Sequence, residues 1–251
     1  LSAWQEAQGE VGWNSLYLDN HDQPRAINRF GDPGRYRAES ATMLATVIHL
    51  LRGTPFVYMG EEIGMTDPSY THISDYVDVE AHNAYVELVE SGRGEQESFA
   101  IVRGKARDNA RSPMQWDSSE GAGFTSGVPW LRPTSQERIN VAEEEATGRI
   151  LPYYRRLIAL RKEYPIVSRG SYEPYAMDHA DIYAYIRGYE SQRLLVLTNF
   201  RPWQVEISIP EEFAGGSVLI SNYPPQEVES AVVLRPYEAL AILTPAVVDG
   251  E

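Results

Sequence analysis

The chain has 251 residues, 43% of them hydrophobic, which is enough apolar material for one large core or two moderate ones. Its 22 Lys and Arg against 36 Asp and Glu leave a formal charge of -14, which disfavours nucleic acid or an anionic membrane as partner. The absence of cysteine excludes disulfides, thiolate metal sites and cysteine redox chemistry, and no apolar run reaches the roughly 20 residues of a membrane-spanning helix.

A cysteine-free composition fits a reducing compartment, so a soluble, cytoplasmic protein is expected. Residues 1–10, LSAWQEAQGE, lack the basic and apolar regions of a signal peptide. Residues 1–8 read as the end of a helix broken at Gly9, and 15–20 as a strand. From Arg35 to Leu51, Ala38, Ala41, Met43, Leu44, Val47, Ile48 and Leu51 recur at helical steps, stopping at Arg52-Gly53. The stretch TPFVYMG, 54–60, is a nearly continuous apolar run that suits a strand buried on both faces. Strand, helix and strand in this order make a parallel α/β unit.

Residues 61–140 leave that rhythm. They hold one helix near Val79–Ser91 and then a long irregular stretch with Trp116, Phe124 and Trp130, whose aromatic content argues for ordered packing. So long an irregular segment inside a compact protein is usually functional or disordered. A helix is expected over Val141–Tyr164, ended by Pro165. Beyond it come DIYAYIRGY, RLLVLTNF, QVEISI, SVLIS, AVVL and ALAIL, short β-like runs that predict an antiparallel sandwich over about 170–251.

Two of these strands end in ionisable residues. Asp19, Asn20, His21, Asp22 and Arg25 follow the first, and Glu61 and Glu62 follow the second. Parallel α/β folds bind ligands at the carboxyl ends of their strands, so two successive strands would deliver carboxylates and an imidazole to one rim.

The segments LDNHDQPR, FGDPGRYRAESATMLATVIHLLRGTPFVYMGEEIGMT, RDNARSPMQWD and AGFTSGVPW together resemble the oligo-1,6-glucosidase-like members of the α-amylase family, glycoside hydrolase family 13. The resemblance implies a fold of α/β plus all-β class: a (β/α)8 TIM barrel followed by an antiparallel β-sandwich, acting on α-glucosidic bonds with retention. It implies that 15–22 is the seventh barrel strand and 54–60 the eighth, so 1–169 is the C-terminal portion of the catalytic barrel, with a long insertion after strand eight, and 170–251 the sandwich domain. A barrel of this kind needs roughly 250 residues, and the family's nucleophilic Asp and general-acid Glu lie on the fourth and fifth strands. The resemblance therefore implies a partner portion of barrel carrying both, and an inactive fragment without it.

For the residues present, the resemblance makes Asp22 the third carboxylate, the transition-state stabiliser, and His21 its neighbour in binding sugar hydroxyls. It makes Arg107 the clamp on the terminal glucose, paired with an acid from the other part of the barrel. Glu62 and Asp19 become lesser substrate contacts, whereas Arg111 reads as a loop brace. No cofactor and no metal are implied; the partner is an oligosaccharide or disaccharide substrate. Trehalose-6-phosphate hydrolase and sucrose isomerase are alternatives within the family. A non-catalytic carbohydrate-binding or interaction fragment is the alternative from another class.

Overall fold

The computed structural model describes residues 1–9 and 11–244. They form two compact units, one of 1–9, 11–16, 34–56 and 153–244, the other of 17–33 and 57–152.

In the first unit, helix α1 (Ser2–Gln8) stops at Gly9, whose φ of 48° few side-chain-bearing residues adopt. Strand β1 (Ser15–Leu16) pairs in parallel with β2 (Thr54–Pro55). The described residues thus contain the expected strand–helix–strand unit, but its strands are shorter than the apolar runs suggest. The ladder ends where the Phe56 N–H donates to the Leu16 carbonyl at 2.8 Å. Phe56, Val57 and Met59 are exposed, against the expectation of a strand buried on both faces. Their apolar run has no second strand beside it among the described residues.

Of the helices between those strands, α2 (Ala26–Phe30) and α3 (Arg37–His49), the second starts two residues later and ends two earlier than the periodicity indicates. Its buried surface runs right round the helix, from Ser40 to His49. Two of the polar residues there bond within the helix: the Thr42 hydroxyl donates to Ala38 O at 2.7 Å and that of Thr46 to Thr42 O at 2.8 Å. Burial depresses the His49 imidazole to about 4, so it is neutral at pH 7.

The second unit contains α4 (Val79–Glu90) packed on α5 (Glu95–Arg103), the short α6 (Asp108–Arg111) and α7 (Val141–Ala146). Its core joins Tyr70, Tyr76, Ala81, Val102, Ala106 and Leu131, with the two tyrosine rings edge to face at 5.2 Å. The long stretch from 112 to 140 is ordered by polar contacts and by buried Met114, Leu131 and Ile139, and not by its large aromatics. Trp116, Phe124 and Trp130 are all exposed. Buried Gln115 staples the segment instead: its side-chain N–H donates to Ile139 O at 2.6 Å and its side-chain oxygen accepts from Ser135 at 3.1 Å. The single helix expected over 141–164 is two, α7 and α8 (Ile150–Glu163). The break falls at Gly148, where a Cβ would overlap the Glu144 backbone, and the Glu144 carboxylate then accepts from the Ile150 N–H at 3.0 Å, the first turn of the next helix.

Helix α9 (Pro165–Arg169) leads into the sandwich. Strands β3 (Glu173–Tyr175), β4 (Ile182–Tyr189), β5 (Gln192–Asn199), β6 (Val205–Ser208), β7 (Ser217–Ser221), β8 (Ala231–Leu234) and β9 (Ala239–Leu243) make an antiparallel sheet of order β3-β4-β5-β9-β7 and a β6-β8 pair. Alternation along β4 and β5 sends Ile182, Ala184, Ile186, Leu195 and Leu197 inward against Ile207, Val232 and Leu234 of the small sheet. The other face of β4 meets α3: the Tyr185 hydroxyl donates to Val47 O at 3.1 Å.

Arg187, on that same face, has no exposed surface. Its guanidinium donates to the carbonyls of Ser171, Leu50, Val167 and Gly170, so one buried cation joins the sheet to the ends of α3 and α9. Desolvation lowers it to about 10, and it is still charged at neutral pH. Arg187→Leu therefore strands several buried carbonyls, and chemical denaturation should show a loss of roughly 3 kcal/mol or more.

Candidate active site

The loop after β1 carries LDNHD. Its Asp22 N–H donates to the Asn20 side-chain oxygen at 2.8 Å, a local turn that leaves the Asp22 and His21 side chains 52% and 70% exposed. The His21 Nε2 lies 3.3 Å from Asp22 Oδ2.

Arg107 and Arg111 stand four residues apart on the turn that opens and closes α6, which puts both guanidinium groups on one side. Arg111 donates from Nε to the His21 carbonyl at 2.8 Å and from Nη2 to Asp22 Oδ1 at 3.0 Å. Arg107 Nη1 lies 4.0 Å from the same carboxylate oxygen. The structure therefore brings His21, Asp22 and Arg107 into one cluster, as the motif suggests.

Within this chain Arg107 pairs with two acids: Nε and Nη2 form a two-pronged bond to Asp78 at 2.6 and 2.7 Å, and Nη2 is 3.2 Å from Glu80. This bond to Arg107 holds the Asp78 carboxyl below the usual carboxylate range and raises the guanidinium in turn. Asp78 is also the N-cap of α4, accepting from the Glu80 N–H at 3.2 Å. Beneath it, fully buried Asp108 accepts from the backbone N–H groups of Val77 and Asp78 at 2.8 and 2.9 Å. Asp78, Glu80 and Asp108 were not singled out by the sequence. The available signal was an Asp placed just before an amphipathic helix, which marks an N-cap and fixes where that carboxylate lies.

Two other candidates are not in this cluster. Asp19 is buried and turned inward, its carboxylate accepting from the Ala26 N–H. Its place is under the loop and not on a surface open to sugar, because the first turn of α2 needs an acceptor there. Glu62 folds back on its own turn, accepting from the Gly60 N–H at 2.8 Å.

Asp19 belongs to a second, buried set with Arg25, Glu61 and Asp67. Arg25 has no exposed surface; it donates from its backbone N–H to Asp67 at 2.8 Å and from its side chain to Met59 O. Burial pushes Asp67 up to about 6. The hydrogen-bonded pair Asp19 and Glu61 is raised by burial too, Glu61 to about 8 with the neighbouring Asp19 charge as second cause. Among the described residues no group of three or more His, Asp or Glu has the geometry of a metal site.

Comparison with known proteins fits this arrangement. Residues 1–170 match the alpha amylase catalytic domain, and 182–240 the alpha-amylase SusG C-terminal domain. The chain belongs to the alpha-amylase family. Its sequence is 47% identical over 247 residues to an oligo-1,6-glucosidase of Parageobacillus thermoglucosidasius, covering 95% of this chain and 44% of that protein. In structure it is similar to trehalose-6-phosphate hydrolase from Bacillus licheniformis, with a TM-score of 0.93 and 41% identity over 97% of this chain and 46% of the other. It also resembles the trehalulose synthase MutB from Pseudomonas mesoacidophila MX-45, with a TM-score of 0.89 and 36% identity over 96% of this chain and 45% of the other. This alpha-amylase family chain thus spans less than half the length of each of these relatives.

The buried carboxyls give a pH dependence whose sign is fixed. A carboxyl raised in the folded state favours folding fully below its unfolded value, and that contribution is lost as pH rises through the folded value. For Glu61 the window runs from 4.5 to about 8. Stability measured by denaturation should fall across this range, and Glu61→Gln should flatten the fall and be more stable than the parent above pH 8. An unchanged slope in that variant counts against the buried acid.

Proposed function

We propose that this chain is the C-terminal part of a retaining α-glucosidase that hydrolyses terminal α-glucosidic bonds of short oligosaccharides of the isomaltose, maltose or sucrose type. The cluster of His21, Asp22, Arg107 and Arg111 carries the reading, supported by the 47% identity to an oligo-1,6-glucosidase. In this reading β1 and β2 belong to the seventh and eighth units of a (β/α)8 barrel, residues 1–169 are barrel and 170–251 its sandwich domain. The rest of the barrel supplies the nucleophile and the acid, two carboxyl groups roughly 5 Å apart across the bond.

The residues here act on the sugar from one side. Arg107 spends Nε and Nη2 on Asp78, and its Nη1 makes no hydrogen bond among the described residues. That Nη1 and Asp22 Oδ1 are 4.0 Å apart, so one sugar hydroxyl can donate to the carboxylate and accept from the guanidinium at about 2.8 Å from each. Asp22 then anchors a ring hydroxyl in the ground state and opposes the positive charge that develops at the glycosyl centre in the transition state. His21 supplies a second donor to the ring hydroxyls, and Glu62 a contact toward the leaving sugar. The exposed apolar run Phe56, Val57 and Met59 supports the need for a neighbouring barrel strand. The cysteine-free composition supports a cytoplasmic enzyme.

In the full-length enzyme, Asp22→Asn should lower kcat by roughly a thousandfold with little change in melting temperature. Arg107→Ala should act chiefly on KM, through weaker capture of the terminal glucose. Rates on isomaltose, maltose, sucrose and trehalose 6-phosphate fix the substrate. A strong preference for the phosphorylated sugar replaces the neutral oligosaccharide, and conversion of sucrose to an isomer makes the enzyme an isomerase. Tight sugar binding by the chain alone, measured by calorimetry, would favour a binding module over part of an active site.

A further inference from the structure

We propose that Arg111 is a positioning residue: it sets the direction of the Asp22 carboxylate and keeps it within reach of Arg107. The inference deepens the α-glucosidase reading and rests on it for its kinetic consequence.

Asp22 has little to hold it in place. It is half exposed, and among the described residues its local restraint is the backbone bond to Asn20. The His21 imidazole beside it shares its loop and is more exposed still, so it cannot fix the carboxylate against the rest of the fold.

Arg111 is different in kind. Its side chain is 20% exposed, it starts from α6, and it spans two acceptors on the loop at once, the His21 carbonyl and Asp22 Oδ1. One guanidinium thus restrains both the backbone before Asp22 and the carboxylate itself. The third nitrogen, Nη1, faces Asp78 Oδ2 at 3.8 Å and Asp108 Oδ1 at 3.7 Å, the two acids that fix Arg107 and the start of α4. The exposed carboxylate therefore takes its position from a buried acid, through a planar fork that an ammonium cannot imitate. Arg107 leaves α6 one turn away, so the 4.0 Å spacing between its Nη1 and Asp22 is set by the same short helix. A displacement of about 1 Å at such a group costs on the order of a hundredfold in rate.

The test uses the full-length enzyme with Arg111→Ala and Arg111→Lys. Both should lower kcat on the preferred sugar roughly a hundredfold, leave KM within about threefold, and keep a cooperative melt. Guanidinium chloride at non-denaturing concentration should restore part of kcat in Arg111→Ala and none in Arg111→Lys, whose own side chain fills the space. The inference is overturned if folded Arg111→Ala keeps kcat within about twofold of the parent, or if its loss of activity equals its loss of folded protein and guanidinium recovers nothing. If the parent turns over none of the sugars, the α-glucosidase reading fails, and crystal structures of parent and Arg111→Ala decide the positioning claim separately. A shift of about 1 Å or more between the Asp22 carboxylate and Arg107 upholds it; a smaller one overturns it.

Discussion

Asp108 has no exposed surface, and the two backbone bonds that its carboxylate accepts are the constraint around which the candidate site is built. It satisfies one oxygen with the N–H groups of Val77 and Asp78, which fixes the chain just before α4. Asp78 is then held where it can cap that helix and grip Arg107 in one geometry. From there the order spreads outward through Arg107 and Arg111 to the exposed Asp22 and His21. The exposed groups proposed to meet the sugar lean on bonded acids that never would. This division suits a site that must present naked charge to a substrate without wasting free energy on reorganising it.

Beneath the same loop lies a set of opposite character. Asp19, Glu61 and Asp67 surround one buried guanidinium, Arg25, and burial pushes all three acids toward their neutral forms. Three ionised carboxylates against one cation would be too much charge for so dry a place. Glu61 is raised furthest, and a proton kept on it lessens the repulsion on Asp19 and Asp67, which accept from the backbone N–H groups of Ala26 and Arg25. Adjacent acids of one short stretch, Asp19 and Asp22, thus have different work because one faces inward and the other outward.

Much of this was legible in the sequence where a single physical signal dominates. The three- and four-residue spacing from Ala38 to Leu51 marks α3, and short apolar runs set off by turn residues mark β4, β5 and β9. The gathering of His21, Asp22 and Arg107 was legible only through the family motifs, since no periodicity links residues 85 positions apart. Three features were hidden. Gly148 looked compatible with one long helix because a glycine lowers helix propensity only modestly; its close approach to Glu144, four residues back, appears only once the end of α7 is formed. Trp116, Phe124 and Trp130 suggested an apolar anchor for the long irregular segment, yet all three are exposed, and the segment is held by the smaller Met114, Leu131 and Ile139 together with Gln115, whose type carries no such signal. Asp78 was invisible as the partner of Arg107, because a capping residue and an ion-pair residue look alike until the backbone brings the second charge near.

Arg187 has a bearing on how such a chain can be inherited. Its guanidinium sits on β4, but its acceptors come from Leu50 at the end of α3, from Val167 in α9, and from Gly170 and Ser171 in the connector. A recombination breakpoint at the start of the strand-rich region would carry the cation away from the oxygens that tolerate it, and would leave those oxygens bare in the donor. Evolution can exchange the sheet for another only together with that helix and connector, or after the arginine has first been replaced by something apolar. The seam that looks cleanest by composition is therefore a poor place to cut.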